Sequence, residues 1–256
     1  MGFVKSAAEI ARIEAAISAP RFGGAQMLSV AFRSDPEFVA AVVPPPLRPT
    51  AEPRMRAMVG RWGSNCVGDF AGGALYVRVS HEGVEGDYNL VQYMETEAPT
   101  LFGRDVFGEP KRIARAGLRR RGDRFHAFLE RGGVRIVELE AEMERDLGPG
   151  VHPRSSFNFK SRPAADGHGL EEDAILTRAA FESEVRLSLE GSGSLTLRGT
   201  PHEPLDQIPI VSILRAAYVE GDQAGHCERR ATVPAAEFLP YHHSRNDHWP
   251  AHASAT

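Results

Sequence analysis

The sequence predicts an α+β protein built on a large antiparallel β-sheet that curls or closes into a barrel, flanked by a few helices. Three observations carry that expectation. Over residues 137–143, Val137, Leu139, Ala141 and Met143 alternate with Glu138, Glu140 and Glu142, the period of a strand with one wet face. Glycine-bearing turns recur at short intervals, at Glu82-Gly83, Arg121-Gly122-Asp123 and Arg131-Gly132-Gly133. The helix signals, by contrast, are short. Successive hairpins in this number tend to close, because closure removes exposed strand edges.

In chain order, Ser6-Ala7-Ala8-Glu9 has capping-box spacing, and Ile10, Ile13 and Ile17 follow on one helical face until Pro20. A strand is expected at 26–33. Ser34-Asp35-Pro36-Glu37 opens a second helix, stopped by Pro44-Pro45-Pro46. Strands follow at 74–79 and 88–94, with Glu85-Gly86 as a further break between them. Later, Val185, Leu187 and Leu189 lead to Gly191-Ser192-Gly193 and then Leu195 and Leu197, which reads as a hairpin. Short helices are expected at 173–180, 211–220 and 234–238. Residues 1–241 form a single domain in this reading, and 242–256 a polar, flexible tail.

Composition narrows the function. The chain has 256 residues, of which 42% are hydrophobic, ordinary for a protein with a full core. Its 30 basic and 34 acidic residues are interspersed and give a net charge of −4, so neither a nucleic acid nor an anionic membrane is an expected partner. The N-terminus leads into a polar helix rather than an apolar signal core, and no apolar run reaches a membrane span; the expected location is the cytoplasm. Cys66 and Cys227 lack metal-ligand spacing and read as buried free thiols, with a single disulfide as the alternative. His242, His243, His248 and His252 are not expected to form a functional metal site. Gly23-Gly24 and Gly72-Gly73 make no phosphate-cradling motif, and no cofactor is expected.

The chemistry centres on Phe107-Gly108-Glu109-Pro110-Lys111-Arg112. Lysine attacks a carbonyl only as the neutral amine, which desolvation or a neighbouring cation favours. Arg112 is a permanent cation, and Pro110 stiffens the turn. Taken alone, a solvated basic turn is the commoner explanation of Pro-Lys-Arg.

Resemblance changes that balance. Gly83-Val84-Glu85-Gly86-Asp87-Tyr88 resembles the Gly-Val-Lys-Gly-Asp-Tyr turn of the acetoacetate decarboxylases. Gly103-Arg104-Asp105 resembles their Gly-Arg-Glu, and Pro110-Lys111-Arg112 their Pro-Lys-Lys, at ungapped spacing. Phe32-Arg33-Ser34-Asp35, Val42-Val43-Pro44-Pro45-Pro46-Leu47, Asn158-Phe159-Lys160 and Pro204-Leu205-Asp206-Gln207-Ile208-Pro209 resemble further family segments in the same order. The resemblance implies a Schiff base between Lys111 and a keto acid, with Arg112 in place of the second lysine. That family is itself a standard example of a lysine activated by a cationic neighbour. It also implies a homo-oligomer.

Two family residues do not carry over. The pocket glutamate falls on Gly72 and the arginine that handles the substrate carboxylate falls on Ala25. A roomier pocket and a substrate larger than acetoacetate are therefore expected. Arg61, with Ser64 and Asn65, is a candidate replacement for binding a carboxylate, against an arginine stacked on Trp62 or solvated. Tyr93, Glu95 and Glu97 are candidate acids or bases, and His202 a candidate proton donor; Arg104 reads as scaffold. The expected activity is a cofactor-free, Schiff-base-forming lyase acting on a keto acid. Aldolase or dehydratase chemistry on the same lysine, or non-catalytic binding of a small carbonyl compound, are the alternatives.

Overall fold

A computed structural model describes residues 3–244. The surface helix α1 (Ala7–Ser18) carries the expected capping box: the Ser6 hydroxyl accepts from the Glu9 amide and the Glu9 carboxylate accepts from the Ser6 amide. Its apolar stripe stays open, with Ile10 and Ile13 exposed. Strand β1 (Arg21–Arg33) leads to α2 (Pro36–Val42), capped by Asp35, whose carboxylate accepts from the amides of Glu37 and Phe38 at 2.8 and 3.0 Å. Then come β2 (Arg48–Pro49), β3 (Arg54–Ser64), β4 (Gly68–His81) and β5 (Val84–Met94). Helix α3 (Glu97–Phe102) passes into a π-turn at Gly103–Phe107, followed by β6 (Lys111–Ile113), β7 (Arg115–Arg121), β8 (Arg124–Arg131) and β9 (Val134–Asp146). Strands β10 (Gly150–Lys160), β11 (Ala174–Leu197) and β12 (Ser212–Val233) and helix α4 (Ala235–Ser244) complete the chain.

All twelve strands belong to one sheet. Seven of them close into a barrel in the order β10-β5-β4-β3-β1-β12-β11, with β11 returning to β10. The pairs β5–β10 and β5–β6 are parallel; the other ladders are antiparallel. From β11 the sheet continues as a leaf, β9-β8-β7, whose last strand folds over β3 and β4. The main core lies between barrel wall and leaf, where Met55, Ala57 and Val59 of β3 meet Leu129, Ile136 and Leu139. The other face of β3, with Arg56, Met58 and Trp62, lines the barrel interior. Where both sides of β3 are covered, at Ala57, Met58 and Val59, consecutive residues are apolar.

The expected α+β barrel is present, but several elements differ. Segments 173–180 and 211–220 are strands, the starts of β11 and β12, not helices. Their alanines, leucines and arginines favour helix locally, but β12 is paired on both sides, with β1 and β11, and that pairing prevails. Gly191-Ser192-Gly193 is not a hairpin: β11 runs straight through, and a side chain at Gly191 would collide with the Glu142 carbonyl of β9. Glu85-Gly86 is likewise inside β5, where a Cβ on Gly86 would come 2.7 Å from the Phe157 ring. Residues 242–244 are the last turn of α4 rather than tail, and His242 is buried, its ring 2.8 Å from the Ser161 hydroxyl. The rest of the expected tail, with His248 and His252, lies outside the described residues. Both cysteines are free, though half-buried. No described helix is long and apolar enough to cross a membrane.

Candidate active site

The inward side chains of β5 are set by a bulge. Tyr76 pairs with Asn89 and Leu75 with Val91, so Leu90 is the extra residue. Asp87 and Asn89 face the lumen before it, and Gln92 and Met94 after it. One inserted residue switches the parity of everything that follows.

Lys111 reaches the same lumen from β6. Its strand pairs in parallel with β5, with Gln92 opposite Lys111. The approach is held tightly. Gly108 adopts a left-handed conformation (φ 77°), its amide and that of Glu109 both bond the Gly103 carbonyl, and the Thr177 hydroxyl donates to the Phe107 carbonyl. π-Turns of this kind recur at functional sites. Lys111 Nζ lies 2.8 Å from Glu109 Oε2 and donates to the Pro99 carbonyl at 3.2 Å, with both side chains buried.

Gly103 makes this packing possible. A Cβ there would lie 2.5 Å from Lys111 Nζ and would overlap Glu109 Oε2. Gly103→Ala is therefore expected to displace both groups and lower turnover on the order of 10²-fold, the usual result of misplacing a reacting group by about an ångström. Steady-state kinetics on a variant with unchanged circular dichroism checks this; full activity would contradict it.

The cavity at Lys111 holds about 120 Å³ and is walled by Met58, Trp62, Phe102, Phe107 and Phe181, with Trp62 stacked on Phe70 at 5.2 Å. Neither Gly72 nor Ala25 leaves open space beside the cavity. At Gly72 the space is filled: a Cβ would come 2.8 Å from the Met94 sulfur. Ala25 is fully buried in the apolar cluster of Met27, Met58 and Trp62. Glycine there admits a neighbouring side chain rather than a ligand.

A second chamber of about 710 Å³ adjoins the first, and Arg56, Tyr76, Asp87 and Arg154 border both. Arg56 donates to Asp87 at 2.5 Å and lies over the Tyr76 ring at 4.2 Å. Burial pushes the Tyr76 hydroxyl up to about 12. Burial also acts to raise the Asp87 pKa, but the charge and hydrogen bond of Arg56 outweigh it and hold the carboxyl below its usual value.

The structure brings only one of the sequence candidates, Lys111, into this cavity. Arg112 points to the opposite face, as alternation along a strand requires. There it donates to Glu203 at 2.6 Å and to the Ser244 carbonyl at 2.8 Å. Tyr93 is buried on that same face and donates to Glu203 at 2.6 Å; the bulge at Leu90 turned it away from the lumen. Burial first, and then the Glu203 charge, raise its pKa well above the ordinary tyrosine value. Glu95, past the same bulge, accepts from the Ala116 amide on the surface. Arg61 stands on the face of β3 away from Trp62, exposed, and donates to Gln26 at 2.7 Å, so it neither lines the cavity nor stacks on Trp62. Ser64 and Asn65 tie the β3–β4 turn to Cys66, Arg21 and Ala19. Glu97 and Arg104 are exposed, and His202 lies beside Arg112 with its carbonyl accepting from it. Glu109, Gln92, Asn89, Arg56 and Arg154 are among the polar cavity residues that sequence reasoning did not single out. Only Glu109 had a signal, its place two residues before Lys111 on an extended segment, where side chains share a face.

Residues 10–229 match the family model described as acetoacetate decarboxylase (ADC). The acetoacetate decarboxylase of Burkholderia vietnamiensis is 26% identical over 216 residues, covering 79% of this chain and 84% of that protein. The crystal structure of acetoacetate decarboxylase from Legionella pneumophila superposes with a TM-score of 0.75 at 22% identity, covering 83% of this chain and 87% of the other. The enduracididine biosynthesis enzyme MppR complexed with pyruvate gives 0.72 at 17% identity, with 85% and 91% covered.

Proposed function

Because the chain belongs to the acetoacetate decarboxylase family, we propose that it is a lyase acting on a short keto acid through an imine on Lys111. The observation that carries this reading is the buried Lys111 Nζ, facing a small apolar cavity with the Glu109 carboxylate 2.8 Å away. The volume of about 120 Å³ suits a keto acid of a few carbons and is well below a drug-sized pocket.

The steps balance without an added cofactor. The neutral Lys111 amine attacks the ketone carbon and water leaves, with Glu109 placed to relay the protons. The protonated imine draws the electrons of the breaking carbon–carbon bond, so carbon dioxide departs and an enamine remains. Protonation of the enamine carbon and addition of water release the ketone and restore the lysine. The reading includes a cytoplasmic homo-oligomer with no nucleic-acid or membrane partner.

A second reading, aldol or dehydration chemistry on a 2-keto acid, is favoured by the same carboxylate. Glu109 beside the imine nitrogen is within reach of the adjacent carbon acid and can form the enamine without loss of carbon dioxide. Incubation with acetoacetate, and separately with pyruvate plus an aldehyde, distinguishes the two. Carbon dioxide from acetoacetate supports the first; a condensation product without gas supports the second; neither product from any keto acid contradicts both.

A further inference from the structure

A keto acid brings a carboxylate into the barrel, and burying it unpaired is costly. The resemblance puts the family's carboxylate-handling arginine at Ala25, on β1, where no charge is present. Around the closed sheet β10 is three strands from β1, through β11 and β12. It carries Arg154, which borders both the Lys111 cavity and the outer chamber.

The other arginines lining that chamber are each held by a carboxylate: Arg54 by Glu52 at 2.6 Å, Arg78 by Glu85 at 3.0 Å, Arg215 by Glu190 at 2.8 Å and Arg56 by Asp87. The Arg154 side chain makes no hydrogen bond or ion pair with any described residue. Next to it, Nη1 of Arg56 is buried and finds no hydrogen-bond acceptor among the described residues. Arg56 and Arg154 together carry one positive charge more than Asp87 neutralises. The surrounding barrel wall, and then the Arg56 charge, lower the Arg154 pKa, although its side chain is reached through the outer chamber. An arriving anion offsets the repulsion between the two guanidinium groups.

We infer that Arg154, with Nη1 of Arg56, is the receptor for the substrate carboxylate, relocated across the barrel from the position of Ala25. The forked guanidinium suits a planar carboxylate. The inference rests on the imine reading in that the carbonyl end of the same molecule lies at Lys111. It also makes the outer chamber the side from which the acid end is held.

The test compares a keto acid with its uncharged methyl ester. Each is titrated against parent protein, Arg154→Met and Arg154→Lys, and the adduct at Lys111 is trapped with borohydride and weighed. Because the side chain is exposed, Arg154→Met is expected to keep the parent's unfolding midpoint. It should need about 10- to 100-fold more keto acid for half-trapping, the range of a charge-assisted hydrogen bond, with the ester unaffected. Arg154→Lys should recover part of the loss. Equal shifts for acid and ester, or no shift for either, overturn the role of Arg154 while leaving the imine intact. If Lys111 traps neither compound, the imine reading fails on its own. Calorimetric binding of propionate to parent and Arg154→Met then decides: weaker binding to the variant supports the receptor, and equal binding overturns it.

Discussion

Lys111→Ala and Lys111→Arg are both expected to lose turnover on the order of 10⁴-fold or more, the scale on which a covalent nucleophile is missed. The pair separates chemistry from packing. Alanine removes the amine and also leaves Glu109 buried without its ion-pair partner, so some loss of stability should accompany it. Arginine keeps a cation beside Glu109, yet its guanidinium does not deprotonate and cannot form an imine. Lys111→Arg should therefore be well folded and inactive. Steady-state rates beside thermal unfolding check this, and an arginine variant within tenfold of the parent rate would rule out covalent catalysis at this position.

Glu203→Ala is expected to cost the fold about 3–5 kcal/mol, the loss typical of breaking a buried ion pair from one side. Glu203 is 1% exposed and accepts from Tyr93, Arg112 and Arg131 at once. Without it the guanidinium of Arg112 loses the carboxylate it donates to, and the Ser244 and His202 carbonyls it also reaches carry no formal charge. Tyr93→Phe removes a single hydrogen bond of the same network and should cost only about 1 kcal/mol. Urea unfolding of the two variants measures both. A Glu203→Ala loss no larger than that of Tyr93→Phe would show that the carboxylate is not the hub of the network. The site would feel the loss too, since Arg112 anchors the strand that presents Lys111.

Alternation along single strands was legible in the sequence, and it is why a curled or closed antiparallel sheet could be foreseen from residues 137–143 and the three glycine turns; the leaf was not. So was Lys111, through a local motif. What failed was long-range or depended on a count of one. Segments 173–180 and 211–220 have helix-forming composition and become strands only because partners on both sides are supplied by distant parts of the chain. Tyr93 and Glu95 would share the lumen face with Asp87 and Asn89 on a regular strand. The extra residue Leu90 reverses them, and nothing in Asn89-Leu90-Val91-Gln92 announces a bulge. Gly72 suggested space, but glycine in a strand more often marks close approach of a neighbour, here Met94. Arg154 had no local signal either: it matters because closure of β10 onto β11 and β5 turns it into the lumen.

An imine at Lys111 is unusually easy to detect in a chain of this composition. The chain contains three lysines, Lys5, Lys111 and Lys160, so few amines compete. The parent protein is incubated with acetoacetate or pyruvate, reduced with borohydride, digested and weighed. One reduced adduct per chain is expected, on the peptide containing Lys111 and absent from Lys111→Arg. An adduct on Lys5 or Lys160 instead, or none with any keto acid under conditions that support turnover, would contradict it.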